Sequence, residues 1–99
     1  MPARGEHNPT EWLGYEPLSL HELPVDALHK AIAALSEPAR RELYTLMRIG
    51  QGQLTASRWQ QGLADAEVLG DATVTATLLE DADLHDHLAK GLYEAKLAA

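Results

Sequence analysis

The densest group of potential metal ligands in the chain is the stretch EDADLHDH at residues 80–87. On a helix, Asp81 and His85 share one face and Asp83 and His87 share another, because side chains four residues apart are neighbours. A carboxylate and an imidazole at that spacing suit zinc or a similar divalent ion. The two pairs point about 200° apart on a helix, so one pair supplies only two ligands. The competing interpretation is that acids collect at the N-terminus of the last helix because its dipole favours them there.

No other spacing in the sequence predicts catalysis. His21-Glu22 resembles the start of a metalloprotease helix signature, but Val25 occupies the position that a second histidine would need. The chain contains no cysteine, which excludes disulfides, thiolate metal sites and cysteine nucleophiles. Glycine-rich phosphate loops and serine nucleophile elbows are also absent from the sequence. We therefore assign no catalytic residue and no cofactor.

Two groups of side chains are candidates for binding a partner protein. Trp12 and Tyr15 lie in a proline-containing N-terminal stretch, where their rings either engage a partner or dock on the rest of the chain. Arg40, Arg41 and Arg48 belong to a basic middle segment of an otherwise acidic chain. This basic strip either docks an acidic partner or pairs with acids of the chain itself.

Length and charge narrow the classes of function. A chain of 99 residues with 45% hydrophobic and 23% charged residues has the balance of one globular domain. Its net charge of −7 argues against binding nucleic acid or an anionic membrane, because phosphates attract basic surfaces. The longest apolar run, Ala31–Leu35, is far shorter than the roughly 20 residues of a membrane-spanning helix. We expect a cytoplasmic protein.

The prolines and the apolar spacing predict the architecture. All five prolines lie at or before Pro38, and proline breaks helices. Residues 1–18 are therefore predicted to be an irregular, flexible tail and residues 19–99 a helical domain. The fold class is all-α, a single bundle of four to five short helices.

Capping residues and glycines predict where these helices start and stop. The first helix has Pro24 in its first turn, and the second has Pro38 there. The predicted N-caps are Ser36, Thr55, Asp71 and Asp83, and the predicted stops are Gly50-Gln51-Gly52 and Gly70.

Apolar residues at spacings of three and four predict one buried face on each helix. The first helix should bury a stripe from Val25 to Leu35, and the third a face from Ala56 to Leu69. Gly91 would let another helix approach the last one closely. The predicted core is Leu28, Ile32, Leu35, Leu43, Leu46, Met47, Trp59, Leu63, Leu78, Leu88 and Leu92.

Residues 72–79 are ambiguous between helix and strand. Threonines alternate with apolar residues there, which is typical of a half-buried strand. A lone strand would leave its backbone groups unpaired, so we predict a short helix. The alternative is a strand that pairs across a homodimer.

A pattern over about residues 40–95 resembles a family of small bacterial proteins known as the domain of unknown function 3775. Its parts are Glu42-Leu43, Leu46-Met47, Gly50-Gln51-Gly52, Leu54, Trp59, Leu63-Ala64, Thr75, Leu78-Leu79, Leu84, Asp86, Leu88 and Gly91-Leu92. The resemblance implies an all-helical bacterial fold and carries no catalytic residue with it. His85 and His87 depart from the family pattern, as does the acidic stretch before Leu84, which argues against a metal function common to the family.

These observations favour a non-catalytic helical module for protein interaction or regulation, with an unknown protein partner and a possible homodimer. One alternative is a divalent-metal-binding protein or metal-dependent enzyme that uses Asp81, Asp83, His85 and His87. The other is a helical domain that binds a small molecule around Trp59.

Overall fold

A computed structural model describes residues 24–98, and all the regular structure in them is helical. The predicted all-α bundle is therefore confirmed over this range. The tail predicted for residues 1–18, with Trp12 and Tyr15, lies outside the described residues. The helices are α1 (Val25–Ala34), α2 (Glu37–Gly50), α3 (Trp59–Leu69), α4 (Asp71–Glu80) and α5 (Leu84–Ala98), with a 3₁₀ turn (Ala56–Arg58) leading into α3.

Helix α2 is the central element of the bundle. Six consecutive residues, 42–47, are buried, so more than one face of α2 is covered. Its most extensive contacts are with α5, followed by α4 and α3. Helix α2 therefore forms the centre of the core and is covered on several faces. Each neighbouring helix buries only one stripe of apolar side chains.

Two glycines allow α2 and α5 to touch backbone to backbone. A Cβ atom added at Gly91 of α5 would overlap the carbonyl oxygen of Leu46, and one added at Gly50 of α2 would overlap the carbonyl oxygen of His87. Only a residue without a side chain fits at either position. The close approach predicted at Gly91 is confirmed.

Both predicted ends of α2 and the predicted C-terminal end of α3 are confirmed. The Ser36 hydroxyl accepts a hydrogen bond from the Ala39 backbone N–H at 3.3 Å, and Pro38 lies in the first turn. Helix α2 ends at Gly50, and α3 is followed by Gly70 with a φ of 91°. That φ lies in the left-handed region, which glycine adopts without strain.

Two of the predicted N-caps, Thr55 and Asp71, are wrong. The Thr55 side chain makes no capping bond, and α3 begins only after the 3₁₀ turn. The Asp71 side chain caps nothing because it pairs with Arg40, and Gly70 takes the cap position of α4. Asp83 directly precedes α5, and its carbonyl oxygen accepts from the His87 backbone N–H at 3.0 Å. The backbone N–H of Asp83 itself donates to the Asp81 carboxylate at 2.9 Å.

Residues 72–79 are helical, as predicted, within α4. Its buried side chains are Val74 and Leu78, while Ala76 between them is exposed. A strand would place all three on one face, so this burial pattern is helical. The Thr77 hydroxyl donates to the Thr73 carbonyl oxygen at 2.8 Å, so it bonds within its own helix.

The predicted core is largely confirmed, with several corrections. Val25 is 55% and Leu69 44% exposed, and both were placed on buried faces. Helix α3 buries Ala66 of its predicted face, together with Gly62, because small residues let it approach α2 closely. Leu35, Trp59 and Leu63 are only half-buried. Buried apolar residues outside the predicted core set are Ala39, Tyr44, Ile49, Ala66, Val74, Leu84 and Ala95.

None of the helices in residues 24–98 has the length and apolar character needed to span a membrane.

Candidate binding groove at Glu42

The structure does not assemble the four predicted metal ligands. Helix α5 begins at Leu84, so Asp81 and Asp83 precede it and the expected helical pairing is lost. Asp81 instead meets His87, with Oδ2 2.6 Å from Nδ1, and accepts from Gln51 Nε2 at 3.2 Å. Within residues 24–98, no group of three or more such side chains can hold a metal ion.

The two remaining cluster residues, Asp83 and His85, lie between Asp81 and His87 in the sequence. Asp83 is exposed, while His85 is half-buried. His85 lines a hollow of about 110 Å³ together with His29 and Asp81. The Asp81 carboxylate thus joins the end of α2 to the start of α5, which is a structural role.

Two of the three arginines of the basic strip are paired within the chain. Arg40 donates to both carboxylate oxygens of Asp71, at 2.8 and 2.9 Å, and to the Leu35 carbonyl at 2.6 Å. Arg48 donates to Asp65 at 2.9 Å. These hydrogen bonds lower the pKa of Asp71 and of Asp65. The geometry therefore favours internal pairing for both arginines.

Replacing Arg40 with lysine is expected to lower the free energy of unfolding by about 1–2 kcal/mol. A lysine keeps the charge but cannot reproduce the planar two-point contact with Asp71 while also binding the last carbonyls of α1. Urea denaturation measures the change, with Arg48→Lys as the control because Arg48 makes a single such bond. Equal losses for the two variants would contradict the bracing role of Arg40.

The third arginine, Arg41, lines a groove whose floor contains Glu42. Glu42 is only 3% exposed, and its Oε1 atom has no hydrogen-bond partner within the described residues. Buried polar atoms in folded proteins nearly always have a partner. An unpaired buried carboxyl oxygen is therefore the most unusual polar feature of this fold.

The spacing of α2 explains why Glu42 is buried. Ala39, Leu46 and Ile49 are buried at positions −3, +4 and +7 from it. Positions at these spacings share one face of a helix, so the carboxyl is carried inward with the apolar stripe. Helix α3 then packs against the same helix.

The groove lies between α2 and α3 and has a volume of about 320 Å³. Apolar wall surface comes from Pro38, Leu63 and Ala64, and a second carboxylate comes from Glu67. The lining residues are Pro38, Arg41, Glu42, Gln60, Leu63, Ala64 and Glu67. Trp59, around which a small-molecule site was predicted as one alternative, is not among them.

Burial raises the pKa of Glu42 to about 8, and the charge of Arg41 offsets part of this effect. Removing a carboxylate from water disfavours its charged form. Glu42 is consequently protonated in most molecules at pH 7. Carboxyls with such raised pKa values in clefts are typical of functional sites.

Glu42 was not among the site residues predicted from the sequence. It appeared only within the Glu42-Leu43 element of the family pattern. The available signal was its position on the apolar stripe of α2, where a charged residue is out of place. Nothing in the sequence indicated that α3 forms the other wall of the groove, because that wall depends on how α2 and α3 pack against each other.

The comparisons with known proteins identify a family but no characterised relative. A family model described as a protein of unknown function, DUF3775, matches residues 25–97. The matched range contains residues 40–95, where the sequence resembles this family, and it extends to the start of α1. No curated protein and no solved structure matches the chain.

Proposed function

Because the chain belongs to the DUF3775 family of proteins of unknown function, which supplies no activity, we propose a function from the groove itself. The protein is a non-catalytic helical interaction module, and the groove between α2 and α3 receives a protruding side chain of a partner protein.

The observation that carries this proposal is the unpaired Glu42 carboxyl oxygen. A buried polar atom without a partner destabilises a fold by about 1–3 kcal/mol. A partner that supplies the missing hydrogen bond removes this penalty when it binds. The unpaired oxygen therefore lowers the stability of the free protein, and a ligand that binds at Glu42 gains the free energy of the missing hydrogen bond.

The shape of the groove supports a partner protein as the occupant. Its volume of about 320 Å³ is at the lower end of the range for small-molecule pockets. It is a groove open to solvent and not an enclosed cavity, so one side chain can enter while its backbone stays outside. Exposed rim residues such as Gln60 and Ala64 are positioned to contact that backbone.

Site-specific photocrosslinking tests the proposal. A photoreactive amino acid placed at Gln60 is expected to give one discrete protein adduct in the native cells. The same amino acid at Lys90, an exposed residue of α5 outside the groove, is the matched control and should not give that adduct. Ala64→Trp, which fills the groove, should abolish the adduct from Gln60.

The outcome also separates the proposed surfaces. No adduct from Gln60, or the same adducts from both positions, would contradict the groove as the binding site. Deletion of residues 1–18 tests Trp12 and Tyr15, since an adduct that survives the deletion does not depend on them. An adduct of twice the chain mass would identify the partner as a second copy. The proposal includes a cytoplasmic location in a bacterium, which fractionation with immunoblotting tests.

A further inference from the structure

We propose that the side chain received by the groove is a lysine of the partner, with its ammonium group on Glu42 and its methylene stem along Pro38 and Leu63. This inference rests on the proposed function and specifies the chemistry of that same site.

The hydrogen-bonding capacity of Glu42 favours an ammonium group. The atom without a partner is a single oxygen, Oε1, in a side chain that is 3% exposed. A guanidinium group binds carboxylates best through two parallel bonds to both oxygens. An ammonium is a compact charge at the end of a flexible stem, so it can bond to one oxygen alone. Because Oε1 is itself buried, the side chains at the bottom of the groove must part to admit it.

The walls suit the stem of a lysine. Pro38 and Leu63 present apolar surface on opposite helices, and Ala64 leaves room between them. Lysine side chains commonly lay their methylene groups on apolar surface while the charged end meets a polar partner. A short polar side chain would bring no such apolar contact.

The charges around the groove require a cation once Glu42 is ionised. The charged side chains that line it are Arg41 and Glu42 from α2 and Glu67 from α3. With Glu42 ionised these groups sum to one negative charge, which a lysine neutralises. The net charge of −7 of the whole chain also attracts a basic partner.

Binding must then release a proton from Glu42. Because the pKa of Glu42 is raised to about 8, about a tenth of the molecules carry the carboxylate at pH 7 and about nine-tenths at pH 9. An alkylammonium ion stays charged throughout, since its pKa is about 10.4. The affinity for an ammonium ligand should therefore rise about tenfold between pH 7 and pH 9.

NMR titration of the full chain with n-butylammonium, which has the length of a lysine side chain, tests the inference. Saturable amide shifts are expected at Gln60, Leu63 and Ala64, with the tenfold gain at the higher pH. 1-Butanol, the uncharged analogue, and n-propylguanidinium should each bind at least tenfold more weakly. Glu42→Gln should lose at least tenfold in affinity for n-butylammonium, whereas Glu80→Gln, which removes an exposed carboxylate outside the groove, should lose none.

Equal binding of butanol and n-butylammonium would overturn the inference, as would an unchanged affinity in Glu42→Gln or no saturable shift at all. The two proposals fail separately. A crosslink from Gln60 without amine binding keeps the interaction module and rejects lysine as the occupant. Amine binding without a crosslink makes the groove a site for free amines and rejects the partner protein.

Discussion

Gly91→Ala is expected to lower the free energy of unfolding by about 3 kcal/mol, at the upper end of the usual range for overpacking. The added methyl group would overlap the Leu46 carbonyl oxygen, which belongs to the backbone of α2 and has no alternative rotamer. Helix α5 would have to move away from the central helix along their whole contact. Alanine forms helices better than glycine by about 1 kcal/mol, and this gain offsets only part of the loss.

Urea denaturation of the two proteins measures this effect. Lys90→Ala is the matched control, because it introduces an alanine one residue earlier at an exposed position of α5. The control should stay close to the parent in stability. A Gly91→Ala protein as stable as the parent would show that α2 and α5 do not touch through their backbones.

Glu42→Gln is expected to stabilise the protein by about 3 kcal/mol at pH 7. In the unfolded chain Glu42 ionises around its ordinary pKa of 4.5, whereas in the folded protein burial raises that pKa to about 8. Between these values the unfolded state gives up a proton that the folded state keeps, so the free energy of unfolding falls as the pH rises. Each pH unit in that window corresponds to about 1.4 kcal/mol. Glutamine has a similar shape and never ionises.

The comparison across pH isolates this effect from those of other groups. The stability difference between Glu42→Gln and the parent should be close to zero at pH 4, where both states hold the proton, and should grow up to about pH 8. Glu67→Gln, at the exposed rim of the same groove, should show no such trend. A difference that is the same at every pH would mean that Glu42 is not desolvated.

Local signals in the sequence predicted most of the helical architecture. Ser36, Gly50 and Gly70 mark helix ends through interactions with residues a few positions away, so their neighbours in sequence are sufficient to identify them. The start of α3 was wrong because Thr55 meets Ser57, with their hydroxyl oxygens 3.1 Å apart, and a 3₁₀ turn intervenes. A threonine before an apolar run does not distinguish these two outcomes.

The candidate site depended on tertiary packing and was predicted poorly. The proposed metal cluster assumed that residues 81–83 were helical, and Asp81 turned out to lie before α5. Arg40 and Asp71 are 31 residues apart, so nothing local in the sequence could pair them. The groove likewise needs α3 to lie beside α2 at Glu42. The only local signal for the site was Glu42 itself, an ionisable residue within the apolar stripe of α2.

The glycine contact between α2 and α5 has a consequence for how the protein is made. Leu46 is synthesised well before Gly91, so the face of α2 that α5 covers stays exposed to water until α5 leaves the ribosome. Native pairings between distant parts of a chain form late and leave apolar surface exposed in the meantime. A premature stop codon before α5 would therefore yield a chain with an exposed apolar surface on α2, which chaperones and proteases recognise.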